Sequence, residues 1–105
     1  MIRICLLGLP LFLSGCAVKA TEVPGDYPIG GSDLALRRLN PDGTFANYAN
    51  GRRVSGGTWH LMEQPFDQGI EFDSESSADE YRLVRRHGTL CWEIRRDYEY
   101  VCKKS

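Results

Sequence analysis

The sequence predicts an all-β fold: a small antiparallel meander of about seven strands, closed as a barrel or packed as a compact sandwich. Three observations lead to this prediction. From residue 33 onward, apolar and polar side chains alternate in short runs, as they do in half-buried strands. Turn residues such as Asn40-Pro41-Asp42-Gly43 separate these runs. No part of the region carries a helical period of usable length, and its roughly 73 residues suffice for a single domain.

The first half of this region predicts two strands that lead by a tight turn into a third. Leu34 and Leu36 begin the first strand, which ends at Asn40. The second strand covers residues 44–49. Asn50-Gly51 follows it, and this dipeptide favours the type I′ turn of a β-hairpin. We therefore expect the second and third strands to pair antiparallel.

The third strand, residues 52–62, has an irregular apolar pattern. Val54 is out of phase with Trp59 and Leu61 if side chains alternate strictly between the two faces. Gly56-Gly57 lies between them, and a β-bulge there returns all three side chains to one face. The sequence thus predicts a bulge at the glycine pair.

The second half of the region supplies the remaining strands. Ile70 and Phe72 mark a short strand with one apolar face. The polar stretch that follows, residues 73–79, predicts a mobile loop. The next strand begins at Tyr81 and ends at Gly88.

The last two strands, residues 89–95 and 98–103, predict a hairpin around Arg96-Asp97. A turn centred there places Cys91 directly opposite Cys102. Opposed Cβ atoms lie about 4.5–5.5 Å apart, which is close enough for a disulfide. A two-residue loop makes this a hydrogen-bonded pair, whereas a four-residue loop makes it the closer, non-hydrogen-bonded kind. The disulfide favours the longer loop.

Two strings within residues 34–72, NPDGTFANYANGRRVSGGTW and GIEF, resemble strand–turn modules of small lipocalin-like envelope proteins. The resemblance supports a fold built of hairpins and names no ligand.

Residues 1–15 have the parts of a secretory signal: a basic Arg3, an apolar segment and small residues before Cys16. Leu13-Ser14-Gly15-Cys16 resembles the lipobox of bacterial lipoproteins. This resemblance implies that the signal peptide is removed and that Cys16 carries lipid, so that the protein is anchored to a membrane. The alternative is an ordinary secretory peptide that a cysteine happens to follow.

The lipobox resemblance divides the chain into three parts. Residues 1–15 are the signal peptide, 16–32 are the lipidated cysteine and a flexible tether, and 33–105 are the β domain. The tether is predicted because residues 17–32 hold two prolines and three glycines with little apolar periodicity. Ala17 after the cysteine favours the outer over the inner membrane in Gram-negative lipoproteins. We therefore expect the domain to face the periplasm.

The four cysteines have separate expected roles. Cys5 leaves with the signal peptide and Cys16 takes the lipid. Cys91 and Cys102 remain in a compartment where disulfides persist, and their bond is worth about 2–3 kcal/mol. The rival interpretation, a zinc site made with the two histidines, lacks close ligand spacing. We predict no metal and no cofactor.

The chain has a formal net charge of −1, but its charges are unevenly distributed. Residues 63–80 contain acidic side chains and no Lys or Arg, whereas residues 81–105 are basic. This balance and the expected export argue against nucleic-acid binding. The acidic segment is either a solvated surface or a contact surface for a basic partner, as an envelope-anchored inhibitor or immunity protein would need.

Four Arg-Arg pairs occur along the chain: Arg37-Arg38, Arg52-Arg53, Arg85-Arg86 and Arg95-Arg96. Adjacent strand residues point to opposite faces, so each pair within a strand sends one guanidinium outward and one towards the core or rim. The pairs either belong to a solvated surface or form a patch for phosphate or carboxylate groups.

The large aromatic residues predict a core and a candidate binding face. Trp59 and Trp92 are in phase with apolar neighbours and are expected in the core. Tyr98 and Tyr100 alternate onto the face that also holds Glu93 and Arg95. A Tyr/Arg/Glu patch is typical of contact surfaces, although cross-strand pairing alone also explains it.

The sequence indicates a binding module rather than an enzyme. It contains no catalytic motif, and its two histidines, His60 and His87, fall at strand or strand-end positions. We expect an envelope or secreted protein as partner, in the manner of an inhibitor or immunity protein. The alternatives are a structural or accessory subunit of an envelope assembly and recognition of an anionic envelope polymer.

Overall fold

The computed structural model describes residues 17–30, 34–63, 68–95 and 99–104, with Arg95 described through its backbone alone. Within these ranges, eight strands pair in chain order as one antiparallel meander. They are β1 (Gly25–Pro28), β2 (Ala35–Leu39), β3 (Thr44–Ala49), β4 (Arg52–Glu63), β5 (Gln68–Ser74), β6 (Ala78–Arg86), β7 (Thr89–Arg95) and β8 (Glu99–Cys102). The predicted all-β meander is confirmed.

The sheet is rolled into a nearly closed barrel rather than a sandwich. Its first and last strands come together near the C-terminus, where the Lys104 amide donates a hydrogen bond of 2.7 Å to the Asp26 carbonyl oxygen. Such closure covers the unpaired edges that an open sheet would expose to other chains.

The strand beyond the predicted seven is β1, in the segment expected to be a tether. It pairs with β2 from Gly25 opposite Leu39 to Pro28 opposite Leu36. Tyr27 between them is 1% exposed and lies in ring contact with the core. The prediction of a flexible tether over residues 16–32 is therefore wrong for the described residues 17–30. Their apolar side chains are too irregularly spaced to give a strand pattern, but they pack against residues far away in the sequence.

The residues before β1 close one end of the barrel, which we call the plugged end. A short 3₁₀ helix, Ala20–Glu22, lies between the buried Val18 and Val23. The Val18 amide donates to Gln68 Oε1 (2.8 Å), and Gln68 Nε2 donates to the Val18 carbonyl oxygen (2.7 Å). Arg85 donates two hydrogen bonds of 3.0 Å to the Glu22 carboxylate. These contacts join the N-terminal segment to β5 and β6.

The bulge in β4 lies at Val54, not at the predicted Gly56-Gly57. Asn47 of β3 pairs with Ser55, but the next residue of β3 pairs with Arg53, so Val54 is the extra residue. The glycines have another role. A Cβ on Gly57 would collide with the Asp73 backbone, so the glycine permits a close approach of β4 and β5.

The predicted mobile loop at residues 73–79 is also wrong. Asp73 pairs with Ala78 and Phe72 pairs with Asp79, so both ends of this stretch are strand. Only residues 75–77 form the connection, and the Ser74 amide donates 2.8 Å to the Ser77 carbonyl oxygen. Polar composition indicated a loop, whereas the backbone pairing continues nearly to the tip of a hairpin.

The β7–β8 hairpin has the predicted register and disulfide. Cys91 faces Cys102, the two are disulfide-bonded, and Trp92 faces Val101. The Lys103 amide donates to the Leu90 carbonyl oxygen (2.9 Å), so the neighbouring cysteine pair is the closer, non-hydrogen-bonded kind. Its Cα atoms are 4.0 Å apart. The predicted turn residues Arg96-Asp97 lie outside the described residues, as does Tyr98, and a register shift between residues 93 and 95 precedes them.

Aromatic rings form the centre of the core. Trp59 and Trp92 are 7% and 1% exposed, as predicted. Trp92 contacts Tyr27 and Phe72 with ring-centroid distances of 4.6 and 4.9 Å, and Phe72 meets Phe45 edge to face at 5.2 Å. Such arrangements favour aromatic pairing beyond the simple burial of area.

Candidate functional site: the barrel mouth

At the end of the barrel opposite the plugged end, the described residues border cavities, and we call this end the barrel mouth. Two cavities lie there. The first, of about 590 Å³, lies between the end of β1 and β8 and reaches inward to Trp92. The second, of about 550 Å³, lies beside β3 and β4 near the β5–β6 turn. Arg37 lines both cavities, which makes it the central polar group of the mouth.

Arg37 faces the interior because its strand neighbours do. Across four strands, Tyr27 pairs with Arg37, Arg37 with Asn47, and Asn47 with Ser55. Since paired residues share a face and Tyr27 is buried, the whole row points inward. Arg37 Nε donates to Asn47 Oδ1 (2.7 Å), and Asn47 Nδ2 donates to Ser55 Oγ (2.9 Å).

The Arg37 guanidinium rests on two aromatic rings. Its Cζ atom lies 4.7 Å from the ring centroid of Phe45 and 4.5 Å from that of Phe72. Burial lowers the pKa of Arg37, while the nearby Tyr81 and Asp79 act to raise it. Arginine nonetheless stays protonated in proteins, so the site holds a permanent positive charge.

The two Nη groups of Arg37 have no hydrogen-bond partner and no carboxylate within 4.0 Å among the residues that the structure describes. Asp79 attracts the guanidinium electrostatically without forming an ion pair with it in that same set. A partly buried cation with unused donors has lost some of its water without full compensation. The mouth therefore presents donors for an incoming anion.

Arg38 shows the opposite arrangement. It points outward, and its Nε and Nη2 atoms donate to the Asp26 carboxylate at 2.7 and 3.3 Å. Hydrogen bonding to Arg38 lowers the pKa of Asp26. The prediction that an Arg-Arg pair divides between two faces is confirmed here. In the pair Arg85-Arg86, one guanidinium binds Glu22 and the other covers the ring of Tyr100.

The predicted binding face is only partly described. Glu93 and Tyr100 lie opposite each other, as predicted. Glu93 accepts two hydrogen bonds of 3.1 Å from Arg82, and the Arg86 guanidinium lies 4.1 Å from the Tyr100 ring centroid. These are the cross-strand contacts of the alternative interpretation. The Arg95 side chain and Tyr98 lie outside the described residues, as do Cys16 and the rest of the lipobox.

A second polar group lies on the outer surface of β4 and β5. His60 Nε2 is 2.8 Å from Glu71 Oε1, and His60 Nδ1 is 3.9 Å from Asp73 Oδ2. Each ring nitrogen therefore faces a different carboxylate, and we assign no metal to this surface group. The structure does not bring His60 to His87, which forms the β6–β7 turn with Gly88.

Sequence reasoning identified the Arg37-Arg38 pair but not the interior position of Arg37 or its partner Asn47. The available signal was the phase shared by Arg37 and Leu39, two residues apart. Leu39 is 1% exposed, whereas Leu34, with which the predicted first strand begins, is 65% exposed.

Comparisons with known proteins identify no relative, so the function is inferred from the site. No protein-family model, no curated protein and no solved structure matches this chain significantly. In the described part of the chain, no helix has the length and apolar character needed to cross a membrane.

Proposed function

We propose that this protein is a non-catalytic binding module, held at a bacterial envelope membrane by lipid on Cys16, which recognises a molecule carrying an anionic group through the barrel mouth. The lipobox-like Leu13-Ser14-Gly15-Cys16 supports the anchor, and Ala17 after the cysteine supports the outer-membrane location. A single observation carries the binding role: Arg37 lines both cavities of the mouth, and its Nη groups have no hydrogen-bond partner among the described residues.

The groups that line the mouth suit recognition rather than turnover. Asn47 and Ser55 supply an amide and a hydroxyl, and Phe45 and Phe72 supply aromatic surface. Both histidines of the chain lie elsewhere, His60 on the outer side of β4 and the other in the β6–β7 turn. Cavities of this volume are typical of sites that bind small molecules or single protruding groups.

Among the partner classes compatible with the sequence, this geometry favours an anionic envelope molecule. A guanidinium at the base of a cavity matches the planar, bidentate geometry of carboxylate and phosphate. Lipid A phosphates and peptidoglycan carboxylates are both anions of this kind.

A protein partner of the inhibitor or immunity type is the second candidate, and a separate observation favours it. The outer surface of β5 and β6 is acidic: Glu71 pairs directly with Glu80, and Asp73 lies on the same face. His60 contacts Glu71 and lies near Asp73, and an acidic surface of this kind suits the electrostatic attraction of a basic protein.

The experiment compares retention of the mature chain on purified peptidoglycan, on lipopolysaccharide and in secreted-protein extracts. The chain carries Cys16→Ala, which removes the lipid and leaves every described contact unchanged. Arg37→Gln should abolish retention on the anionic material, and Arg38→Gln, on the outer surface, should leave it unchanged. Capture of one basic protein that is lost in Glu71→Gln/Glu80→Gln, and kept in Arg37→Gln, would establish the second candidate instead.

A further inference from the structure

We propose that the ligand of the mouth is amphipathic: a carboxylate or phosphate bound by Arg37, joined to an apolar body that fills the cavity between β1 and β8. This inference rests on the proposed function and names the ligand class for the same site. It is carried by the contrast between the charge of Arg37 and the apolar wall next to it.

The cavity between β1 and β8 exists because the barrel closes only at one end of this seam. The closing hydrogen bond, from the Lys104 amide to Asp26, lies beside the plugged end. Farther along β1, Pro28 has no amide hydrogen to donate, and the Ile29 amide donates to Ala35 of β2 (2.9 Å). Among the residues that the structure describes, no backbone hydrogen bond joins β1 to β8 at the mouth, and Ile29 and Val101 line the cavity there.

The wall of this cavity combines apolar and aromatic side chains with the charged Arg37, Arg86 and Glu99. Ile29, Tyr81, Trp92 and Ile94 line it, and Trp92 forms its inner surface. Ile94 is 37% exposed and is the residue without a partner at the register shift of β7. Its accessible side chain leaves apolar surface at the cavity for a ligand to cover, at about 25 cal/mol for each Å² buried.

Arg37 lies where this apolar cavity ends, and its orientation is already fixed. The Nε bond to Asn47 and the rings of Phe45 and Phe72 hold the guanidinium plane, so only the Nη edge remains for a ligand. A donor pair held in place loses little conformational entropy when an anion binds. Partial burial also strengthens its attraction for the anion relative to water.

Asp79 gives the site an internal test. It shares the inward phase of Phe72 and lies near enough to Arg37 to interact electrostatically with it. A bound anion would be repelled by the Asp79 carboxylate. Removing that charge should therefore strengthen the binding of an anionic ligand, whereas it should not affect a neutral one.

In the experiment, decyl phosphate, decanoate, decanol and inorganic phosphate are each titrated into the mature Cys16→Ala chain. Binding is measured by tryptophan fluorescence and by calorimetry. The two decyl anions should bind at least about tenfold more tightly than decanol or inorganic phosphate, because only they engage both Arg37 and the apolar wall. Arg37→Gln should weaken them about tenfold, and Asp79→Asn should strengthen them. Arg38→Gln should change nothing. Trp92 is expected to report the binding by a change in emission.

Two results would overturn the inference: equal affinity of decanol and decyl phosphate, and equal binding by wild type and a folded Arg37→Gln. If Arg37→Gln fails to fold, Arg37→Lys keeps the charge without the planar fork, and unchanged affinity in that variant would contradict the bidentate geometry. Arg37-dependent retention on peptidoglycan without binding of any decyl anion would refute this inference while leaving the proposed function standing. Titration with a lysophospholipid in the same assay shows whether the bound anion is a lipid head group or a free acid.

Discussion

Arg37 and Arg38 are adjacent in β2, yet one guanidinium lies inside the barrel and the other on its surface. Arg38 is fully engaged by the Asp26 carboxylate, whereas Arg37 has only its Nε atom bonded, to Asn47. Because successive side chains of a strand point to opposite faces, two identical neighbouring side chains lie in different environments. One stabilises the seam beside β1, and the other is available for a ligand.

The disulfide is expected to supply a large share of the stability of so small a barrel. Cys91→Ala/Cys102→Ala should lower the free energy of unfolding by about 2–3 kcal/mol, because the bond closes a short loop in the unfolded chain. Chemical denaturation of the oxidised wild type and the variant measures this. A reducing agent should shift the wild-type curve and leave the variant unaffected. Coincident curves for oxidised wild type and variant would contradict the role.

The plugged end can be tested by comparing two valines. Val23 is fully buried against the barrel, whereas Val54 at the bulge is 62% exposed. Val23→Ala should cost about 2 kcal/mol of unfolding free energy, and Val54→Ala should change it by less than about 0.5 kcal/mol. Equal effects on the urea midpoint would show that residues 17–23 behave as the flexible tether originally predicted.

How far the sequence could predict this fold depended on which forces act locally. The limits of β3 and the register of Cys91 with Cys102 followed from turn chemistry and alternation, both of which act between near neighbours. The position of β1 did not, because Tyr27 and Val23 are held by residues at the other end of the chain. The alternation of apolar and polar residues also predicts an apolar interior, and the inward Arg37 does not fit that pattern.

The two glycines of β4 illustrate the same limit. Gly56-Gly57 is a reasonable sequence signal for a bulge, but the bulge occurs where Val54 has no partner. The glycines permit a close approach of neighbouring backbones. That approach depends on how the sheet coils, and the spacing of residues in the sequence does not reveal it.

Gly57 should accordingly tolerate no side chain. Gly57→Ala places a methyl group against the Asp73 backbone and should destabilise the protein by more than about 2 kcal/mol. Gly88→Asn is the matched control: its φ of +79° suits asparagine, and nothing lies within 4 Å of an added Cβ. Thermal melting of both variants measures the difference. A Gly57→Ala protein as stable as Gly88→Asn would show that β4 and β5 do not approach so closely.

Acid should destabilise the barrel through two carboxylates, Asp26 in β1 and Glu22 in the 3₁₀ helix before it. Hydrogen bonding to Arg38 lowers the pKa of Asp26. Burial acts to raise the pKa of Glu22, but the Lys19 amide and Arg85 together lower it. Because both folded-state pKa values lie below the ordinary 3.8 and 4.5, each group stabilises the fold above those values. That stability is lost as the pH falls through the lowered values. Denaturant midpoints should therefore be flat near neutrality and fall below about pH 4.5, and the Asp26→Asn/Glu22→Gln variant should show a shallower fall. An identical acid dependence in that variant would assign the effect to other carboxylates.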